Sequence, residues 1–299
     1  KNATTSNVVP INSKSSYVTE WTLALPDKLS FTAGISTSRM RIHLDDRLNP
    51  ATVTKPATFD TTYKNMYAPH FAINKMFNKK VSVYASYSTG FKAPVSANFF
   101  VPVGAVGINP AAAKVDSALK PERGVKYELG TKGSLLVDKL FYELTVFNAI
   151  YHDKMTAIAV KNPNDATGVT LYTITANGGR QNHKGIEALV KYTVYESADG
   201  FLRSVRPFAN FTYSDFKYED FKFHQLAGGT VKKVDYSNKP VAGVAKLVSN
   251  IGIDFMSNPG LYANATWFYK DGVPVTSDGV YQSVSYNLLN AKIGFQHSI

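Results

Sequence analysis

The six histidines, His43, His70, His152, His183, His224 and His297, come first when chemistry is sought, because imidazole is both a metal ligand and an acid–base group near neutral pH. No two of them have the spacing of a metal-binding helix, and the chain has no cysteine to complete a thiolate site. Asp45 and Asp46 are paired carboxylates in sequence. In an extended chain, adjacent side chains point to opposite sides, so the pair reads as solvated rather than catalytic. There is no GxSxG elbow, no phosphate-binding loop and no dinucleotide fingerprint, and no enzymatic activity is expected. The chemistry the chain can do is binding. Its 33 Lys+Arg exceed 22 Asp+Glu by 11, and it carries 18 Tyr and 18 Phe. Cations concentrate anions, and aromatic faces pack on planar or apolar groups. The basic residues never run longer than two in a row, as at Lys79-Lys80 and Lys232-Lys233, so a nucleic-acid-binding stripe is not expected.

Elements must position these groups, and the composition bounds which elements. Charged residues are 18% of 299 positions, below the roughly 25% usual in soluble domains. So much apolar and aromatic material argues against disorder, and without cysteine there is no disulfide scaffold. The most apolar run, Phe99 to Ile108, is broken by Pro102, Gly104 and Gly107. It reaches about half of the roughly 20 residues a spanning helix needs. Residues Lys1 to Thr5 do not form a signal peptide.

The dominant periodicity is two. Val81, Val83, Ala85 and Tyr87 alternate with Ser82, Tyr84, Ser86 and Ser88. The same alternation runs through 125–132, 140–147, 186–194, 205–213, 261–270 and 288–295. Across these seven segments one face holds 31 residues and no charge, whereas the other holds 29 residues and nine charges. A lipid face explains the exclusion, because Lys or Arg at a bilayer midplane costs roughly 2–4 kcal/mol. The segments are long for sandwich strands, whose mode is about 5–6 residues, and match the roughly 9–11 of tilted membrane strands. Outward Tyr87, Tyr192, Tyr213 and Tyr269 near strand ends suit an interfacial girdle. The expected fold is therefore all-β, an antiparallel transmembrane barrel section. A water-soluble sandwich is the alternative.

Strands are expected at 17–25, 29–42, 66–77, 80–89, 123–135, 140–152, 181–195, 203–216, 243–256, 260–270 and 284–297. Short turns at Pro26-Asp27-Lys28, Asn78-Lys79, Val137-Asp138-Lys139, 196–200 and Ser257-Asn258-Pro259 alternate with long connections. Outer-membrane barrels show this alternation. Extra extended pieces such as Leu171 to Thr175 are expected inside the connection 153–180. About 11 strands is an odd count, while bacterial barrels have even counts. Residues 1–299 are therefore expected to be one partial barrel domain, a section of a longer chain. Asn210-Phe211-Thr212 and Asn264-Ala265-Thr266 match the glycosylation pattern by chance inside strands.

Four stretches carry a family resemblance. Tyr87-Ser88-Thr89-Gly90-Phe91-Lys92-Ala93-Pro94 resembles the strand-to-loop segment of TonB-dependent receptor barrels. Leu119-Lys120-Pro121-Glu122, with Tyr127-Glu128-Leu129-Gly130-Thr131-Lys132-Gly133, resembles the next strand. Asn177-Gly178-Gly179, leading to His183-Lys184-Gly185-Ile186-Glu187, is similar to a further recurring element, and Gly272-Val273-Pro274 fits loosely. The order and spacing of these elements over 66–297 are similar to those of iron-complex receptors. The resemblance implies a 22-stranded barrel in the bacterial outer membrane, of which this chain covers about half, without the plug, the energy-coupling box or the last strands. It further implies uptake of a ferric siderophore or similar iron chelate, energised through the TonB complex by way of the plug. It implies no intrinsic cofactor or metal, and outer-membrane lipid as a partner. A passive porin remains an alternative.

The ligand-binding candidates are Phe91, Phe99, Phe100, Arg180, His183, Lys191, Arg206 and Tyr218. They belong to a wider set of lumen or loop cations, Lys126, Lys132, Lys184, Lys232, Lys233 and Lys270, and loop aromatics, Tyr172, Phe216, Phe221 and Phe223.

Overall fold

The computed structural model describes residues 8–47, 58–78, 80–99, 119–161, 170–177, 179–227 and 230–296. Its strands are β1 (Val8–Leu25), β2 (Leu29–Asp46), β3 (Thr58–Phe77), β4 (Val81–Lys92), β5 (Glu122–Leu135), β6 (Leu140–His152), β7 (Met155–Lys161) and β8 (Thr170–Asn177). The chain continues with β9 (Arg180–Tyr192), β10 (Tyr195–Glu196), β11 (Leu202–Asp220), β12 (Lys222–Ala227), β13 (Thr230–Asp235), β14 (Leu247–Ser257), β15 (Leu261–Lys270) and β16 (Tyr286–Phe295). Eleven of them form one path, β1-β2-β3-β4-β5-β6-β9-β11-β14-β15-β16, with β10 attached to β11. The hairpins β7–β8 and β12–β13 stand off this sheet as separate two-stranded pieces. No helix among the described residues is long and apolar enough to cross a membrane.

The register confirms the two faces. Ala85 lies opposite Leu129, Leu129 opposite Val146, Val146 opposite Ile186 and Ile186 opposite Tyr213. The same face continues on β14 to β16, where Ile251, opposite Ala209 of β11, lies beside Trp267 and Leu289. Many of these side chains are exposed, and together they form an apolar surface larger than soluble monomers tolerate. Aromatics edge it. Phe71 stacks on Tyr87, and Tyr87 packs at a tilt on Tyr127, across β3 to β5 near the long connections; Trp267 and Tyr269 stack on β15. Tyr192, opposite Leu140, lies at the short-turn end. Charge returns one step past the aromatics on this same face, with Lys184 between Asn148 and Asp215.

On the polar face, glycines lie under rings of the neighbouring strand. Gly130 faces Tyr84, Gly185 faces Phe147, Gly252 faces Phe208 and Gly294 faces Tyr262, each as direct register partners. A Cβ at any of the four glycines would come within 2.4 Å of the ring. The rings therefore lie flat along the wall and cover backbone that would otherwise be bare.

Several strands outrun their expected limits. β1, β2, β3 and β11 are 18, 18, 20 and 19 residues long. The β1 extension at Asn12-Ser13-Lys14-Ser15-Ser16 is polar on both faces. A stretch polar on both faces offers no alternation to read, whereas the β2 and β3 extensions carry Leu44, Phe59 and Tyr63 on the polar face, covered by Phe99 and Leu119. β3 bends at a bulge opposite Ser38 and Met40, with Asn65 at φ 58°. At the other end β9 stops at Tyr192, short of the expected 195. The expected extended piece at 171–175 is β8, paired with β7.

The buried clusters sit at the long-connection end of the polar face. Ile42 and Leu44 pack with Phe99 and Leu119 against Met40, Phe59 and Tyr63. The Tyr63 hydroxyl donates to the Leu119 carbonyl at 2.8 Å. A second cluster joins Tyr218 to Phe221 and Phe221 to Tyr236, at ring separations of 4.9 and 5.6 Å.

Candidate ligand site at the long-connection end

Antiparallel pairing of β4, β5, β6, β9 and β11 builds two adjacent rows on the polar face. One is Ser88, Lys126, Ala149, His183 and Phe216. The next, nearer the loops, is Gly90, Gly124, Tyr151, Gln181 and Tyr218. Four of these residues on three neighbouring strands, Ser88, Gly90, Gly124 and Ala149, have almost no side chain. They leave a groove of about 430 Å³, within the size range of small-molecule sites. A Cβ at Gly90 would meet nothing within 4 Å.

The borders of the groove are charged and aromatic. Lys92, Lys126 and Lys154 line it, with Tyr151 as its aromatic wall and Glu122 as its carboxylate. Lys126 contacts Glu128 at 2.6 Å, and its ammonium lies 5.6 Å over the Phe147 ring. The Lys154 ammonium lies 5.0 Å over Tyr151 and 3.3 Å from Glu122. Beside the groove His183 stacks on Phe216 at 4.1 Å and 6°, and the Tyr151 ring lies 4.7 Å from the same imidazole. Ammonium groups at an aromatic rim hold an anion, or a complex that is anionic and partly planar. Among the described residues no group of three or more His, Asp or Glu side chains could hold a bare metal ion.

The structure distributes the sequence-derived candidates widely. His183 lies next to the groove, and Phe91 borders it from β4, opposite Arg123. Phe99 is 1% exposed in the Ile42–Leu44 cluster, and Tyr218 is 3% exposed, its hydroxyl donating to Ser277 Oγ at 3.3 Å. Both rings pack loops onto the wall rather than face open space. Arg180 lies opposite Asp220 and pairs with Glu219, in register with the apolar face but past its aromatic edge. Lys191 and Arg206 are on the polar face but near the short turns, and Arg206 pairs with Glu196 at 3.3 Å. Eight residues of strand separate His183 from Lys191, about 26 Å at strand rise. Phe100 lies outside the described residues, as do the side chains of Tyr172, Phe223 and Lys232. Lys132 faces Glu143, Lys184 lies with the apolar face above the band, and Phe221 is buried.

Sequence reasoning missed Tyr151, Lys154, Glu122 and Lys92. The signal lay in the resemblance stretches: Gly90 and Lys92 belong to one and Glu122 to the next. Away from the wall, burial raises the pKa of Tyr236, and the Ser237 hydroxyl and N–H lower that of Asp235. Asp220 and then Asp235 hold Lys222 above its ordinary value.

Comparison with known proteins follows the same lines. A sequence-family model described as "TonB dependent receptor-like, beta-barrel" matches residues 2–298. No curated protein sequence matches. Among solved structures, the siderophore receptor PiuA from Acinetobacter baumannii is similar over 97% of this chain and 37% of its own, at 16% identity and a TM-score of 0.69. The ferric citrate transporter FecA in its unliganded form is similar over 98% and 39%, at 11% identity and 0.69. The copper transporter OprC is similar over 97% and 40%, at 12% identity and 0.68. At these identities the likeness is one of fold, and the chain spans about two fifths of the length of each.

Proposed function

The chain belongs to the TonB-dependent receptor β-barrel family, and from that premise we propose that it forms part of the wall of an outer-membrane receptor importing an anionic ferric chelate. In this reading the apolar face meets lipid and the polar face lines the lumen. The groove over Gly90 and Gly124 is where the wall contacts the ligand at the outer mouth. One observation carries the reading: three lysines and an aromatic ring converge on a floor of small residues at the long-connection end of the polar face.

The wall residues bind and orient. Lys92, Lys126 and Lys154 attract the negative chelate and Tyr151 offers a flat surface to it. The chelator keeps its own bonds to iron, and the wall supplies charge around the complex. Release inward is work for a plug and the TonB complex.

The test uses the full-length protein in a Gram-negative host stripped of its own iron receptors. Growth on ferric citrate or a ferric catecholate under iron limitation, dependent on the receptor and on TonB, is the expected result. Growth on such a complex in a TonB-deficient host overturns the coupled reading. Failure on every anionic chelate with the receptor folded in the membrane overturns the ligand assignment.

A further inference from the structure

The groove contains its own anion. Glu122 is 4% exposed at the head of β5, and its carboxylate touches both lysines that overhang the groove from the loop side. Lys154 Nζ is 3.3 Å from Oε2, and Lys92 Nζ is 3.9 Å from Oε1. Oε1 also accepts the backbone N–H of Met155 at 2.7 Å. Met155 is the first residue of β7, so this one carboxylate ties the groove lysines to the base of the β7–β8 hairpin.

The same hairpin is held at its other foot. The Asn177 side chain accepts from the Lys120 N–H at 2.8 Å and donates to the carbonyls of Lys120 and Asp153 at 3.0 and 2.7 Å. Two stretches singled out in the sequence, around Lys120-Pro121-Glu122 and Asn177-Gly178-Gly179, thus meet at the hairpin base. The hairpin leaves the wall through Asp153 at φ 52° and returns through Gly179 at φ 78°. Left-handed residues at both feet give it hinges where a strand would be rigid.

We propose that Glu122 is a surrogate anion: it occupies Lys92 and Lys154 while the groove is empty, and an arriving anion displaces it and frees the β7–β8 hairpin. This rests on the reading of the groove as the ligand site and adds how its occupancy is regulated. Once its lysines are taken, a carboxylate buried to this degree has no compensating charge. It turns to water and lets go of the Met155 N–H. Asn177 keeps the second foot in place, so the hairpin swings rather than detaches. Glu122 is then a positioning residue that competes with the ligand.

The competition predicts a gain of affinity on removing the charge. Glu122→Gln keeps a carbonyl oxygen for Met155 but offers the lysines no charge. The probe is iron-free citrate, with sodium chloride at matched ionic strength as the control, on the full-length protein in detergent. Hydrogen exchange over 155–161 and 170–177 is the readout, alongside isothermal titration. In the wild type, citrate speeds hairpin exchange saturably and chloride does not. In Glu122→Gln, citrate binds about tenfold tighter and hairpin exchange no longer depends on it. Lys154→Met, a second variant, abolishes the citrate response. Unchanged or weaker citrate binding in Glu122→Gln overturns the proposal, as does a citrate response that survives Lys154→Met. So does a wild-type hairpin indifferent to citrate. Iron uptake without any citrate response overturns the switch and leaves the transport reading standing; a citrate response without iron uptake does the reverse.

Discussion

Residue by residue, the site depends more on what is absent than on the aromatics that first draw notice. Loop aromatics are ambiguous in sequence, because a ring that packs a loop and a ring that grips a ligand look alike. Phe99 and Tyr218 are buried by partners from distant segments, Phe59 for the first and Ser277 for the second, and no local pattern announces such contacts. Ser88, Gly90, Gly124 and Ala149 leave room, and the room is usable because Tyr151 and three lysines border it. Gly90→Val is expected to leave stability within about 0.5 kcal/mol, as for a surface site, since nothing lies within 4 Å of its Cβ position. The same change fills the groove, and chelate binding measured by equilibrium dialysis should fall. Away from the wall, Asp235 titrates below an ordinary carboxylate because the Ser237 hydroxyl, and then its N–H, favour the ionised form. A depressed folded-state pKa means that its contribution is present above the unfolded value and is lost as pH falls through the folded one. Ser237→Ala should therefore move the Asp235 titration upward in a carboxyl NMR experiment.

Strands and turns explain why the faces were legible and the strand ends were not. Lipid excludes charge, so in the proposed membrane setting alternation survives wherever a strand crosses the bilayer. All seven segments with a charge-free face keep that phase in the sheet, from Val81 on β4 to Phe295 on β16. Past the charge-free segments the pattern changes: β1 is polar on both faces from Asn12 to Ser16, and Leu44 and Phe59 on β2 and β3 are covered by Phe99 and Leu119 from distant segments. The groove was illegible for a related reason: Gly90, Gly124 and Tyr151 come from three strands, and only register brings them together. The ring-covered glycines make register itself testable. Gly185→Val should destabilise by about 1–3 kcal/mol, because its Cβ would meet the Phe147 ring and the Tyr213 carbonyl. Urea unfolding in detergent measures it. In the β5–β6 turn Val137 holds φ 55° while 88% exposed, a costly conformation for a β-branched residue. Val137→Gly should stabilise by about 1 kcal/mol in the same assay.

As a whole molecule, the sheet is one wall with an apolar face and a polar face. An eleven-strand path with an apolar band on one face, aromatic edges and a polar opposite face has little core of its own, and its buried clusters gather under the long connections. Stability should therefore depend on lipid more than on side-chain packing. Val146→Lys, on the band, should cost about 2–4 kcal/mol in bilayers, whereas Ser86→Lys on the polar face should cost far less. Reversible folding into short-chain lipid vesicles compares the two. The central claim, that the polar face at the long-connection end binds an anionic iron complex, is tested most directly by equilibrium binding of radio-iron to the full-length protein. The comparison sets ferric citrate against a neutral ferric hydroxamate, in the wild type and in Lys126→Ala with Tyr151→Ala. The account predicts preference for the anionic complex, and a loss of about tenfold or more in the double variant that shrinks in high salt. Equal binding of both complexes, untouched by the two substitutions, would contradict it.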